Sequence, residues 1–493
     1  IMEYTTLKDR IRGALIGGAI GDALGYPVEF MTYNSIVNTY GDKGITCFDL
    51  ANGIAEFSDD TQMTLFTANG LLNGITRNAH FRKNTALIDY VDSAYMDWYK
   101  TQLRQGCMIP EHERNCWLDN VPGLYSLRSP GNTCLSAIEQ RRCGMKVDNN
   151  SKGCGGIMRV APVAFAFGKT EPSDAREEFK NRSEVIRMAC EVARLTHLHP
   201  LGFLPAGVMV HLLYKIAHST ESITAERIKN IVFEGLWFLD NLTDPATGAS
   251  YKSLYHEALD ELNIMILKTF RLASAITDDV SAIRQLGQGW TGDEALYIAL
   301  YCVIRHLDNM RDAIIASVNH DGDSDSTGAI CGNIMGAMLG IGGIDPKWAE
   351  GLEMDDLVLE VAKDLCDDCQ MEEFGHYVDA IWMAKYGGSS MGTITVNDYL
   401  RGKSRLPASE GEKDEAPETL HEMRIRLFER IAPTASGKNV ECYSVRTVSE
   451  RKLRKAIESY AVGYDQDGFV GLIDDSMLSD VTTPERMDEV SSR

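Results

Sequence analysis

Residues 319–340 read NHDGDSDSTGAICGNIMGAMLG, and the stretch has two halves. In the first, Asp321, Asp323 and Asp325 alternate with small residues, so on an extended loop their oxygens can converge on one point. In the second, Gly328, Gly332, Gly336 and Gly340 recur every four residues with apolar residues between them. That is the pattern of a helix with glycine along one side. Glycine inside a helix costs about 1 kcal/mol against alanine, so a regular series needs a compensating contact. Close approach of a second helix backbone supplies one. Residues 7–25, LKDRIRGALIGGAIGDALG, carry the matching series Gly13, Gly17, Gly21 and Gly25. The two series predict a pair of helices packed backbone to backbone at the centre of an all-α bundle, with Asp22 carried toward the acidic loop.

Oxygen-only side chains suit a hard cation, Mg²⁺ or Ca²⁺, with Mn²⁺ as an alternative. An EF-hand is excluded. Counting from Asp321, the sixth position is Ser326 where glycine is needed, and the twelfth is Gly332 where glutamate is needed. Taken alone, the loop reads as readily as a solvated Asp/Ser turn capping a helix. A second acidic group changes the balance. Ser58, Asp59 and Asp60 precede a segment in which Leu65, Ala68, Leu71 and Leu72 share a helical face, so they sit at a helix N-terminus. By itself this too is an ordinary acidic first turn. Pro27 ends the first helix and leaves Glu29 between Val28 and Phe30, on the surface or in a site.

Three further stretches carry candidate chemistry. GCGGIMRVAP, residues 153–162, is a glycine-rich loop entering a helix, whose amides can face an anion such as phosphate. It matches neither GxGxxG nor a Walker sequence, and an ordinary turn is the commoner reading of it. Thr196 and His197 precede Pro200, with a structural histidine and a ligand equally open. Trp290 stands in the glycine-rich turn 287–292, where it can stack on a flat ring or plug the core.

The net charge of −22 and a pI near 5 argue against nucleic acid or an anionic membrane as the main partner. Twelve cysteines form no framework. Cys366 and Cys369 make a single CxxC without a second pair, which argues against a zinc site. The apolar run from Gly13 to Gly21 is shorter than the roughly 20 residues a bilayer requires. No charged-then-apolar leader is present, and a cytoplasmic protein is expected. Helices are predicted at 7–25, 84–105, 183–198, 201–218, 224–240, 251–275 and 293–307, and residues 1–390 read as nearly all helix. Residues 391–418 read as a linker that opens with a strand-like GTITVNDYL. Residues 419–493 read as a small C-terminal segment, α or α+β, with helical patterns at 419–431 and 448–460. It is either a partner-binding addition or a partly ordered tail.

In this order, RGALIGGAIGDALGYPVEF, FSDDTQMT, GCGGIMRVAP, the Thr196–His197 pair and GDSDSTGAICGNIMGAMLG resemble the ADP-ribosylglycohydrolase family. The likeness runs from about residue 9 to 345, and to about 387 at the outside. It implies an all-α, roughly orthogonal helix bundle holding two divalent cations, usually Mg²⁺, between the acidic clusters. Carried over by position, Ser58, Asp59 and Asp60 match one metal-ligand set, and Asp323, Asp325 and Ser326 match the other. The family usually has threonine where Ser58 and Ser326 stand, which keeps a hydroxyl in both places. Cys154 departs from the family's usual asparagine, and Asp321 is additional to the motif, expected behind the ligands. The resemblance also implies that Asp60 or Asp325 orients or deprotonates the attacking water, with Glu29 as a mobile acid/base. Gly153, Cys154, Gly155, Gly156 and Met158 would take the diphosphate, with His197 and Trp290 as further substrate contacts, Trp290 against the adenine. The implied function is removal of ADP-ribose from a modified protein side chain, arginine-linked favoured, or from a small ADP-ribosyl substrate. The rival readings are an inactive ADP-ribose-binding or structural module of this fold, and a two-metal phosphatase or pyrophosphatase.

Overall fold

Gly13, Gly17 and Gly21 face Gly336, Gly332 and Gly328 across an antiparallel helix pair. A computed structural model describes residues 2–103, 108, 116–167, 174–219, 221–349, 351–367, 379–387, 461–465 and 468–472. In it the helices Met2–Gly25 and Ser324–Leu339 lie in contact along these two glycine faces. A Cβ added at Gly21 would stand 1.9 Å from the Gly328 carbonyl oxygen, and one at Gly332 would stand 2.0 Å from that of Gly17. Any side chain on this seam would push the backbones apart. Gly340 departs from the predicted series: it ends the second helix at φ +69° and so stands outside it as the cap. Asn333 adds a polar tie, its Nδ2 donating to the Ala14 carbonyl at 2.9 Å where Gly18 leaves room.

Around this pair stand the helices Asp59–His80, Leu87–Leu103, Ala175–Arg194, Pro200–Ala217, Ala225–Asn241, Tyr251–Ser274 and Gly292–Arg305. The predicted helices are present with shifted ends. The one predicted from residue 183 begins at Ala175, because Asp174 caps it by accepting from the amides of Arg176 and Glu177. The Pro-bearing stretch before residue 131 contains only short 3-10 turns, Trp117–Asn120 and Pro122–Leu124, among its described residues. Pro200–Ala217 is long and apolar enough to cross a membrane, and it is 89% buried inside the bundle. That is what the core helix of a folded domain shows.

The chain divides into two compact units, residues 1–119 with 123–388, and residues 120–122 with 389–493. The described residues of the first are helices, turns and isolated bridges. The second contains an antiparallel hairpin, Ala461–Asp465 with Gly468–Leu472, in which Tyr464 is opposite Phe469. The predicted strand at 392–400, the 391–418 linker and the helical patterns at 419–431 and 448–460 lie outside the described residues.

Candidate active site

Two acidic helix starts meet at the end of the glycine seam. Ser58 caps the helix Asp59–His80, its Oγ accepting from the Asp60 amide at 3.2 Å. Asp22, from the first helix, holds this turn in place. Its Oδ1 accepts from the Ser58 amide at 2.9 Å, and its Oδ2 accepts from the Thr61 amide at 3.0 Å and the Thr61 hydroxyl at 2.5 Å. Asp323 caps the helix Ser324–Leu339 and accepts from the Ser326 amide at 3.3 Å, while Asp325 Oδ1 accepts from the same amide at 2.9 Å. Each cap satisfies helix N–H groups that have no partner inside the helix.

The carboxyl groups then act on one another. Glu29, Asp323 and Asp325 each offer an oxygen, all within 4.8 Å of one another. Burial first, then the charge of Asp323, lifts Glu29 to about 7. Burial lifts Asp22 to about 6 against the pull of its hydrogen bonds to Ser58 and Thr61. Asp59, Asp60 and Asp325 are held well above the usual carboxylate range by burial and by neighbouring carboxylates. Asp60 raises Asp325, and Asp323 raises Asp60, across the two clusters, so segments more than 250 positions apart in sequence share one field. None of these six groups has a Lys or Arg ion-pair partner among the described residues.

This donor set fits a divalent cation. Like charges at this spacing need either protons or a cation to coexist. All the donors are oxygens, as hard ions prefer, and Asp60 Oδ2 is buried without a hydrogen-bond partner. Cys154 brings a softer atom close. Its thiol donates to Asp323 Oδ2 at 3.2 Å, and the Ser326 hydroxyl donates to its sulfur at 3.5 Å. Asp321 faces elsewhere, accepting from the Arg284 side chain at 2.8 Å and the Tyr33 amide at 2.7 Å.

The remaining predicted residues form the walls. The Cys154 amide donates to the Trp290 carbonyl at 2.9 Å, and the Gly292 amide to the Lys152 carbonyl at 2.8 Å. The glycine loop and the 287–292 turn are therefore joined by backbone. Trp290 is 48% exposed. His197 is buried beneath the loop, where a Cβ on Gly155 would stand 2.8 Å from its Cε1. Met158 is buried and lines a small cavity with Asp60 and Asn333. On the opposite side the Phe30 amide donates to the Gly322 carbonyl at 2.6 Å, which fastens the Glu29 segment to the loop before Asp323. Phe30 itself is at φ +57° and 62% exposed.

Asp22, predicted to be carried toward the acidic loop, and Thr61, in the FSDDTQMT stretch, hold the site together. The available signal is a carboxylate placed late in an apolar, glycine-rich helix, where a free charge would be costly.

The chain is similar to known proteins. The model of the ADP-ribosylglycohydrolase family matches residues 3–374. The ADP-ribosyl-[dinitrogen reductase] glycohydrolase of Rhodospirillum rubrum is 26% identical over 364 residues, 72% of this chain and 93% of its own length. An ADP-ribosylarginine hydrolase of Pseudomonas putida is 26% identical over 365 residues, 73% of this chain and 78% of its own. An ADP-ribosylhydrolase of Dictyostelium discoideum is 22% identical over 414 residues, 73% of this chain and 94% of its own. A solved ADP-ribosylglycohydrolase-related protein complex aligns at a TM-score of 0.46 and 19% identity, covering 73% of this chain and 98% of that one. With a family model spanning the helical unit from its first helix to beyond the second acidic cluster, this chain belongs to the ADP-ribosylglycohydrolase family.

Proposed function

We propose that this protein is a Mg²⁺-dependent hydrolase that releases ADP-ribose from a modified protein side chain, with an arginine linkage favoured. The observation that carries the reading is the meeting of both acidic helix starts with Glu29 in one buried cluster. The arginine preference is supported by the P. putida relative, which is named for that linkage.

Ser58, Asp59 and Asp60 from one side and Asp323, Asp325 and Ser326 from the other would hold two ions. When bound, the ions supply positive charge and Lewis acidity where ribose hydroxyls and water meet. The chain's own groups do the rest. Water adds to the anomeric carbon as the bond to the side-chain nitrogen breaks, through an oxocarbenium-like transition state. Asp60 or Asp325 orients that water and takes its proton. Glu29, with an oxygen within 4.8 Å of Asp323 and Asp325, is the group that gives a proton to the leaving nitrogen. The amides of residues 153–156 take the diphosphate, and Trp290 offers a face for the adenine.

The test is to incubate the full chain with Mg²⁺ and peptides ADP-ribosylated on arginine or on serine, and to measure free ADP-ribose. Release should be lost in Asp59→Ala and in Asp325→Ala. Release that survives both would remove the two-metal reading. Binding of ADP-ribose without turnover on any linkage would indicate a binding module, and release of phosphate would indicate a phosphatase.

A further inference from the structure

Arg159 is fully buried beside the glycine loop, and among the described residues it has no carboxylate partner. Its Nη2 donates to the Thr196 hydroxyl oxygen at 2.7 Å and to the Val192 carbonyl at 3.1 Å. Its Nη1 reaches the sulfur of Cys134 at 3.4 Å, and its guanidinium carbon lies 4.4 Å from the centre of the Tyr95 ring. A guanidinium buried without a carboxylate is costly, so its placement asks for a use.

Donor and acceptor counting gives one. Guanidinium can only donate, so Thr196 Oγ1 must accept from it and has one proton left to give. The nearest acceptor is His197 Nδ1 at 2.8 Å. The Ala193 carbonyl is at 3.5 Å, and the Cys134 sulfur nearby is a weaker acceptor. His197 Nδ1 therefore accepts, and the ring proton stands on Nε2. That nitrogen has no hydrogen-bond partner among the described residues, and it lies 3.1 Å from where a Cβ on Gly153 would stand. Burial and the neighbouring guanidinium push His197 down to about 3, so the ring stays neutral in the working range.

We propose that Arg159 and Thr196 are positioning residues that lock His197 in its Nε2–H tautomer, so that it donates a hydrogen bond to the diphosphate of an ADP-ribosyl group on residues 153–156. This rests on the reading above that the loop takes the diphosphate. The arrangement adds a neutral donor to the backbone amides, and its direction does not change with pH above the histidine's lowered range.

The experiment uses the full chain labelled with ¹⁵N-histidine, with His197 assigned through His197→Gln. Its tautomer is read from two-bond proton–nitrogen correlations, and ADP-ribose affinity is measured by calorimetry in Mg²⁺. Wild type and Thr196→Ser are expected to show a bare Nδ1 and a protonated Nε2. In Thr196→Val, Nδ1 should become partly or fully protonated and affinity should fall about tenfold, the size of one neutral hydrogen bond. A wild-type His197 protonated on Nδ1 overturns the proposal even if every variant misfolds. So does a Thr196→Val protein with unchanged tautomer and affinity. Failure of wild type to bind ADP-ribose, with the tautomer as expected, would instead overturn the functional reading of the loop.

Discussion

Asp22 Oδ1 accepts the Ser58 amide at 2.9 Å, and this contact couples the glycine seam to the acidic turn. The first helix thereby supplies the cap of another helix, one carrying half of the proposed metal ligands. Asp22→Ala leaves the Ser58 and Thr61 amides and the Thr61 hydroxyl buried without acceptors. We expect a loss of about 2–4 kcal/mol in urea unfolding of the metal-free protein, together with weaker Mg²⁺ binding. A loss confined to metal binding, with stability unchanged, would contradict the capping role.

The carboxyl cluster sets a pH dependence with a definite sign. Glu29 at about 7, with Asp59, Asp60 and Asp325 held higher than usual, binds more protons folded than unfolded. Such groups stabilise fully below their unfolded values and lose that contribution as pH rises through the folded ones. His197 and His211, both held down at about 3 by burial, act the other way, but only below their unfolded value of about 6.5. From about pH 6.5, where the histidines stop contributing, through the about 7 at which Glu29 titrates, the carboxyls therefore decide. In a chelator the melting temperature should fall by several degrees across this window, and Mg²⁺ should restore most of it at the upper end. Differential scanning calorimetry checks both. A chelated protein that gains stability over the same window would refute the cluster's protonation.

The helix seam predicts unequal costs for one chemical change. In Gly21→Ala and Gly332→Ala the new methyl would meet carbonyl oxygens at 1.9 and 2.0 Å, and the opposing atoms are backbone. Each should destabilise by about 3 kcal/mol or more, or prevent soluble expression. Gly351→Ala, with its nearest neighbour a Leu50 methyl at 3.6 Å, should stay within about 0.5 kcal/mol. Denaturant midpoints for the three variants test the ordering.

Phe30 combines a left-handed backbone with an exposed ring, beside the carboxyl assigned to proton transfer. Glycine adopts this conformation freely, so Phe30→Gly should raise stability by about 0.5–1 kcal/mol. We expect it to lower kcat/KM on an ADP-ribosylated peptide while leaving ADP-ribose affinity near wild type. Equal losses on both would place the ring against the nucleotide instead of the leaving side chain.

Much of this arrangement can be read from residue spacing. The glycine intervals give the helix pair, and the two acidic starts give the donors, because both patterns are local and periodic. What escapes the reading depends on atoms brought from far away. Cys154 lies against Asp323 and Ser326, and the bond from the Phe30 amide to Gly322 has no sequence signature. Asp321, expected behind the ligands, is taken by Arg284 and Tyr33. The helix Ala175–Arg194 starts earlier than its apolar spacing suggests, because its first turns are polar and begin from the Asp174 cap. Trp290 illustrates the limit: its glycine-rich setting predicts a turn, but only the folded chain joins that turn to residue 154.

The tie between Ala14 and Asn333 joins positions 319 residues apart. A ribosome adding about 5–20 residues per second exposes the first helix about 15–60 seconds before its partner exists. During that interval a strip of bare glycine backbone has nothing to lie against, and the first helix cannot acquire its final neighbour. Nascent chains of this protein are thus expected to depend on holdase chaperones until residue 340 has cleared the exit tunnel.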